Sequence, residues 1–561
     1  MTMLTMRRTR TSFMCSEWLG RLIHQIYSLN ASTLLDDGTL QDCGKVRSHD
    51  TALTASVELL RESNAVFSSL WRGLTTDADR LSYVDRNDST TMTQTVRLLQ
   101  KALILQGQHG EALIVAESAR ASAIELLLVQ QRRRTERLGS QQPQPPASAQ
   151  GLTVEQMQQT AARENATILF FSITDNATYA WALPPHADVD GGEQAALRFH
   201  ELDVDEEAQG DEVNRLVELL AHSAKYNNES APRNIAALEE SDEDEDQSGG
   251  GDGDEVSSRP ASGGNRPRPI RAMTVSEVDV EIDELLKRFH ERLITPLADA
   301  IARGSQLLII PEGDLFRLPF AALLDTRGSS LVERHTIRLS PSVGSVAELG
   351  AAPRVGTAGS ALIVGDPKVN YPIGLHQVPP APLPGARHEA QWIQKRLDGA
   401  GQAATLLERE AATRECVVSA MEASEIIHLA MHGDGDNLYL AGSEQAEGRL
   451  SLAEVQLLQL STSRLVVMSA CNTFKGALSK DGVLGISRAF LAAGAQSLVA
   501  SLWPLLDEHT CSLIEEFYGA LCEGLSVASA LQRAMVKMIR AGYRVCVWAP
   551  FVLYGIDEVI M

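Results

Sequence analysis

Two short runs of this chain end in side chains that can do chemistry together. Ile426-Ile427-His428-Leu429-Ala430-Met431 leads into His432-Gly433, and Arg464-Leu465-Val466-Val467-Met468-Ser469-Ala470 leads into Cys471-Asn472-Thr473. A thiol attacks as its thiolate, and a neighbouring imidazole takes the thiol proton and later gives one to a leaving amine. In open α/β sheets reacting groups gather at the carboxyl ends of parallel strands, so two neighbouring strands here would bring His432 and Cys471 to one cleft. Their separation of thirty-nine positions is room enough for a crossover between adjacent parallel strands. Gly433 permits close backbone approach, which makes its N–H, with that of Cys471, the expected oxyanion hole. Taken singly, either side chain reads as core, because Cys is among the most buried residue types.

Other polar residues near these runs have plainer readings. His428 shares a strand face with His432 by strict alternation and reads as a hydrogen-bonded structural histidine. Asp434 and Asp436 lack the twelve-residue loop pattern of a calcium site and read as a solvated loop. Asp507 and Glu508, with Asp481 a weaker third, are candidates for an acidic pocket that selects Lys or Arg before the scissile bond. Asp507 reads at least as well as a helix N-cap.

The elements that must position these residues follow from pattern. After the strand Gln306–Pro311 come the strand Ala361–Pro367, a helix over Ala386–Leu397, the His432 strand, the Cys471 strand, a helix over Val483–Ala493 and the strand Ser497–Trp503. Helices over Glu508–Cys522 and Ser526–Met538 close the series, and Glu281–Arg303 reads as an amphipathic helix before it. Such alternation predicts a mostly parallel sheet covered on both faces. Ala166–Ile173 and Ala177–Leu183, joined by Thr174-Asp175-Asn176, predict a β-hairpin.

Upstream the pattern is helical. Val96, Leu99 and Leu103, then Leu113, Ala116, Ala119, Ile124 and Leu127, recur at three-to-four spacing, with Gly107 and Gly110 marking a turn. This hairpin resembles part of a tetratricopeptide repeat, a unit that needs neighbours to complete its core. The organisation expected is an ill-defined N-terminus (1–49), a helical region (50–138), a Gln/Pro/Ser linker (139–151), and an α/β domain (152–556) interrupted at about 226–271 by an acidic, Gly/Ser-rich insertion that reads as disordered.

Bulk composition narrows the function classes. The 561 residues carry a net charge of −23, with ten acidic residues between Glu239 and Glu255 alone, and no basic stripe, so nucleic acid is not expected as a partner. Seven cysteines without a CxxC spacing argue against a disulfide framework or a zinc site and for a reducing, cytoplasmic setting. No apolar run reaches the length of a membrane span. The Arg-bearing first sixteen residues faintly resemble a transit peptide, and a frayed N-terminus is the plainer reading. No cofactor is expected, and oligomeric state is not encoded legibly.

A series of segments carries a family resemblance. Leu308–Gly313, Leu318–Leu323, Val364–Pro367, Leu383–Ala386, His428–Gly433, Leu465–Thr473, Gly482–Phe490, Ala492–Ala495, Val499–Pro504 and Trp548–Phe551, in that order, are similar to a CHAT domain, the caspase-fold peptidase class that commonly follows tetratricopeptide repeats. The resemblance spans about residues 150–556 and implies a caspase-like α/β fold with a Cys-His dyad carried onto Cys471 and His432. It implies a cysteine endopeptidase, with the N-terminal helices receiving a protein substrate or activating protein; a catalytically inactive caspase-like scaffold is the alternative. It also marks Trp503 and the Trp548-Ala549-Pro550-Phe551 run as packing and turn elements. Two departures, the compact segment after His432 and Phe474-Lys475 after the Cys run, touch loops that would line the substrate groove.

Overall fold

The computed structural model describes residues 49–73, 91–120, 151–174, 177–185, 197–226 (except 203 and 205), 273–351, 359–373, 378–434, 436–444, 448–469, 485–503 and 507–561, together with 128 and 270. The acidic insertion, the linker and the segment holding Cys471 and Asp481 lie outside the described residues.

The helical region opens with α1 (His49–Gly73) and α2 (Thr91–Leu105), which pack together, followed by α3 over 109–120. Gly107 makes the turn between α2 and α3 at φ +74°, a left-handed conformation that glycine adopts at no steric cost. The hairpin expected from its spacing is therefore present. Then come α4 (Val154–Arg163), the strands β1 (Ala166–Ile173), β2 (Thr178–Leu183) and β3 (Arg198–Leu202), and α5 (Glu206–Tyr226). β1 and β2 pair antiparallel from Ile168 with Leu183 to Ile173 with Thr178, the predicted hairpin.

α6 (Val275–Phe289) starts on a capping box, in which Thr274 and Glu277 satisfy each other's backbone N–H, six residues before the sequence pattern suggests. It buries Val278, Ile282, Leu285, Leu286 and Phe289 at helical spacing. The predicted continuation to Arg303 is not α-helical: a π turn (His290–Ile294) and a 3-10 turn (Thr295–Ala300) replace it. Pro296, with no N–H and a ring that clashes with the preceding turn, accounts for the change.

The remaining elements alternate as expected: β4 (Gln306–Ile310), β5 (Ile337–Leu339), α7 (Val343–Ala351), β6 (Ser360–Pro367), α8 (Pro384–Gly399), β7 (Ala403–Arg409), α9 (Arg414–Met421) and β8 (Ile426–Ala430). A two-stranded ribbon of β9 (Asn437–Tyr439) and β10 (Arg449–Ser451) precedes α10 (Leu452–Val455) and β11 (Leu465–Met468). Last come α11 (Gly485–Ala492), β12 (Ser497–Ser501), α12 (Asp507–Cys522), α13 (Val527–Arg540), α14 (Val545–Trp548) and β13 (Phe551–Gly555).

Eleven strands form one sheet in the order β3-β2-β1-β4-β5-β13-β12-β11-β8-β6-β7. Strands β12, β11, β8, β6 and β7 run parallel to one another, and β13 joins this block antiparallel to β12. β1, β4 and β5 form a second parallel group. Strands at the centre of such a sheet are buried on both faces, which is why β8, β11 and β12 are continuous apolar runs without alternation. α8 lies against β6, β7 and β8, α12 lies on α8, and α13 lies on α12. The close seat of α8 requires Gly365, where an added Cβ would stand 2.6 Å from the Ala390 Cβ.

The helical region is fastened to the sheet by buried polar contacts. Arg120 of α3 donates to the carbonyls of Phe171, Ile310 and Pro311, pairs with Glu312 at 2.7 Å, and lies 4.3 Å from the Phe170 ring. Glu117 accepts from the Gly344 N–H at 2.7 Å, at the start of α7. Trp181 of β2 donates to the His109 carbonyl at 3.0 Å.

Candidate active site

β8 and β11 are neighbours, parallel and in register from Leu465 with Ile426 to Met468 with Leu429. His432 lies three residues beyond Leu429, and in sequence Cys471 lies three beyond Met468. The Ser469 N–H donates to the Leu429 carbonyl at 3.0 Å, so the pairing continues past the last register pair. Cys471 itself, like Asp481, lies outside the described residues.

His432 is half-buried, and its Nε2 stands 2.8 Å from the Ala381 carbonyl oxygen. A carbonyl only accepts, so this nitrogen carries a proton, and whenever the ring is neutral its lone pair is on Nδ1. The expected oxyanion donor Gly433 follows at the mouth of a tight hairpin, opposite Leu438. That hairpin is closed by Tyr439 N–H to the His432 carbonyl (3.1 Å) and by Asp434 N–H to the Asn437 carbonyl (3.0 Å), so neither bond uses the Gly433 N–H.

Asp434 organises this hairpin. Its carboxylate accepts from the Asp436 and Asn437 N–H groups at 2.8 and 2.7 Å, from the Asn437 side-chain amide, and from the Tyr439 hydroxyl. Burial first, and then this carboxylate, push the Tyr439 hydroxyl well above its ordinary range. Tyr439 packs with Val369 and Tyr371 in a small apolar cluster apart from the main core, and Tyr371 donates to the Leu440 carbonyl at 3.0 Å. The segments after β6 and β8 are thereby tied together beside His432.

His428 is fully buried, with Nε2 2.8 Å from Glu389 of α8 and Nδ1 3.2 Å from the Tyr518 hydroxyl of α12. Both ring nitrogens are thus satisfied, as a structural histidine requires. Tyr518 is held far above its ordinary pKa, by burial first and by the Glu389 charge next, so its hydroxyl keeps the proton it donates to Nδ1. Asp507 and Glu508 stand in the first turn of α12, and their side chains lie outside the described residues. Trp503 is packing, as expected: it is buried and its indole N–H donates to the Cys546 carbonyl at 3.0 Å.

The residues that hold His432 carry little sequence signal. Ala381 acts through its backbone, which any residue type supplies. The proline density of Val378-Pro379-Pro380-Ala381-Pro382-Leu383-Pro384 was the available hint, because such a run is stiff and extended.

With this geometry in view, comparison with known proteins is informative. Residues 283–556 match the family model described as the CHAT domain. The chain is 25% identical over 573 residues to tetratricopeptide repeat protein 28 of Mus musculus and 25% identical over 574 residues to that of Homo sapiens, in each case across 83% of this chain. The chain spans 22% of the length of these relatives. Among solved structures, the separase-securin complex of Saccharomyces cerevisiae superposes with a TM-score of 0.52 at 10% identity, covering 95% of this chain and 40% of that one. That likeness is one of fold. The region similar to a CHAT domain has a caspase-like α/β fold, preceded by tetratricopeptide-like helices, and its sheet is extended by β1, β2 and β3 from outside the matched residues. Among the described residues no helix is long and apolar enough to cross a membrane.

Proposed function

We propose that this CHAT-like domain is a cysteine endopeptidase with His432 and Cys471 as its dyad. The observation that carries the reading is the His432 ring, held by the Ala381 carbonyl at the end of a strand paired in register with the one that leads to Cys471. In the proposed reaction Nδ1 of His432 takes the Cys471 thiol proton, and the thiolate adds to a peptide carbonyl carbon. The Gly433 and Cys471 N–H groups hold the oxyanion. The C–N bond then breaks, His432 gives its proton to the departing amine, and a thioester remains. Water, deprotonated by His432, adds to the thioester and releases the carboxylic acid and the thiol. Asp507, Glu508 and Asp481 remain the candidates for an acidic substrate pocket.

The folded unit is proposed to begin near residue 152 and to follow a linker at 139–151, with the helices before it receiving a protein substrate or activator in the cytoplasm. A second reading, a catalytically silent scaffold, is favoured by the likeness across 83% of this chain to tetratricopeptide repeat protein 28, a protein named for its repeats. Labelling with a thiol-reactive peptidyl probe and digestion of a peptide library separate the two. The peptidase reading expects labelling and cleavage in the wild type and neither in Cys471→Ala; identical behaviour of the two proteins overturns it.

A further inference from the structure

The Val364-Gly365-Asp366-Pro367 motif is not accounted for by the dyad, yet Asp366 is the most constrained carboxylate near it. It is buried to 1% exposure and adopts φ +46°, a left-handed backbone that costs an L-residue energy unless its surroundings hold it there. Its Oδ2 takes charge-assisted bonds from Arg387 of α8 at 2.5 Å and Arg409 at the end of β7 at 2.8 Å. Its Oδ1 accepts from the Leu383 N–H at 2.9 Å. Leu383 is two residues from Ala381, whose carbonyl holds His432, and Pro382 joins them with a fixed φ. Arg409 is itself left-handed, at φ +48°, and also reaches the Asp366 carbonyl at 3.4 Å, so the last turns of β6 and β7 are locked into the same cluster.

We propose that Asp366 is a positioning residue for His432: clamped by Arg387 and Arg409, it fixes the Val378–Pro384 segment so that the Ala381 carbonyl aims the imidazole. This rests on His432 being the dyad base. The Asp366 side chain bonds to the Leu383 N–H, Arg387 and Arg409. Its effect passes through one amide, one proline and one carbonyl, a path short and stiff enough to set the ring's direction. Placement matters because a misplacement of about 1 Å of a reacting group can cost on the order of 10²-fold in rate.

The test uses the full chain with ¹⁵N-labelled histidine, the His432 signals being assigned with His432→Gln. A ring N–H bonded to a carbonyl exchanges more slowly than one facing only water, and gives an observable Nε2–H resonance. Asp366→Asn tolerates the left-handed backbone and keeps the acceptor for Leu383, so the resonance is expected to persist. Asp366→Gly relieves the backbone constraint but removes the acceptor, so the resonance is expected to be lost and alkylation of Cys471, read by mass spectrometry, to slow about 10²-fold. Pro382→Gly, an exposed change that leaves Asp366 intact, is expected to loosen the same path and lose the same resonance. Persistence of the resonance in both glycine variants overturns the proposal. If it is lost in both while even the wild type cleaves no peptide, positioning by Asp366 stands and the peptidase reading fails.

Discussion

At the scale of single residues, β8 and the turn just after it carry two histidines in opposite circumstances. His432 is half-buried with its Nε2 bonded to a carbonyl, whereas His428, four residues earlier, is enclosed by Glu389 and Tyr518. His428→Ala strands the Glu389 carboxylate in the core, and a loss of about 3–5 kcal/mol is expected. Tyr518→Phe removes only a donor to a neutral nitrogen, and about 1–3 kcal/mol is expected. Denaturant melts in this order check the assignment; equal effects contradict it. Glu117 offers a pH-dependent case. Burial raises its carboxyl above the ordinary value, with the Gly344 and Val343 N–H groups opposing, and its Oε2 has no donor among the described residues. Between the unfolded and the higher folded pKa, the folded chain holds a proton that the unfolded chain has released, so stability falls as pH rises through that window. Glu117→Gln keeps an acceptor without the charge. It is expected to match the wild type at pH below the window and to exceed it by about 1–3 kcal/mol above it; parallel melting profiles across pH would contradict this.

At the scale of elements, the contact between α8 and β6 governs whether Asp366 and the Pro-rich segment keep their places. Gly365→Ala drives a methyl into Ala390 and to 3.3 Å from the Ala386 carbonyl, and a cost of about 1–3 kcal/mol is expected, with a matching loss in the Cys471 alkylation rate. An unchanged rate in a destabilised variant would show that the α8 seat and the dyad are uncoupled. This part of the fold was partly legible. β6, β8, β11 and β12 announce themselves because both faces are buried and their centres are short, mainly apolar runs. β7 does not: it is an edge strand, Ala403-Ala404-Thr405-Leu406-Leu407-Glu408-Arg409, with every residue at least partly exposed, and neither alternation nor a continuous run marks it. β5 has three residues, too few to show a period. His432 and the structural His428 could be picked out from spacing, while the Ala381 carbonyl that bonds the His432 ring could not, since backbone groups have no residue type.

At the scale of the whole molecule, the helices and the sheet are coupled through few but well-buried groups. Arg120 reaches three carbonyls and one carboxylate from a side chain only 9% exposed. Arg120→Ala is expected to cost about 2–5 kcal/mol and to speed amide exchange across 109–120, because it strands Glu312 and frees the end of α3. Arg61→Ala, which removes an exposed pair with Glu111, is expected to cost no more than about 1 kcal/mol. Similar effects of the two on exchange would mean that α3 is held by apolar packing alone. The order of the strands has a further consequence, for synthesis. β13 is the last in sequence of the strands among the described residues, yet it lies between β5 and β12 at the middle of the sheet. A chain emerging from the ribosome therefore carries β3-β2-β1-β4-β5 and β12-β11-β8-β6-β7 as two separate half-sheets until residues 551–555 appear. Each half presents an open edge during that interval, on β5 and on β12, and open edges are templates for the wrong partner. The strand that joins the two half-sheets is thus also the one whose delay exposes them to misassembly.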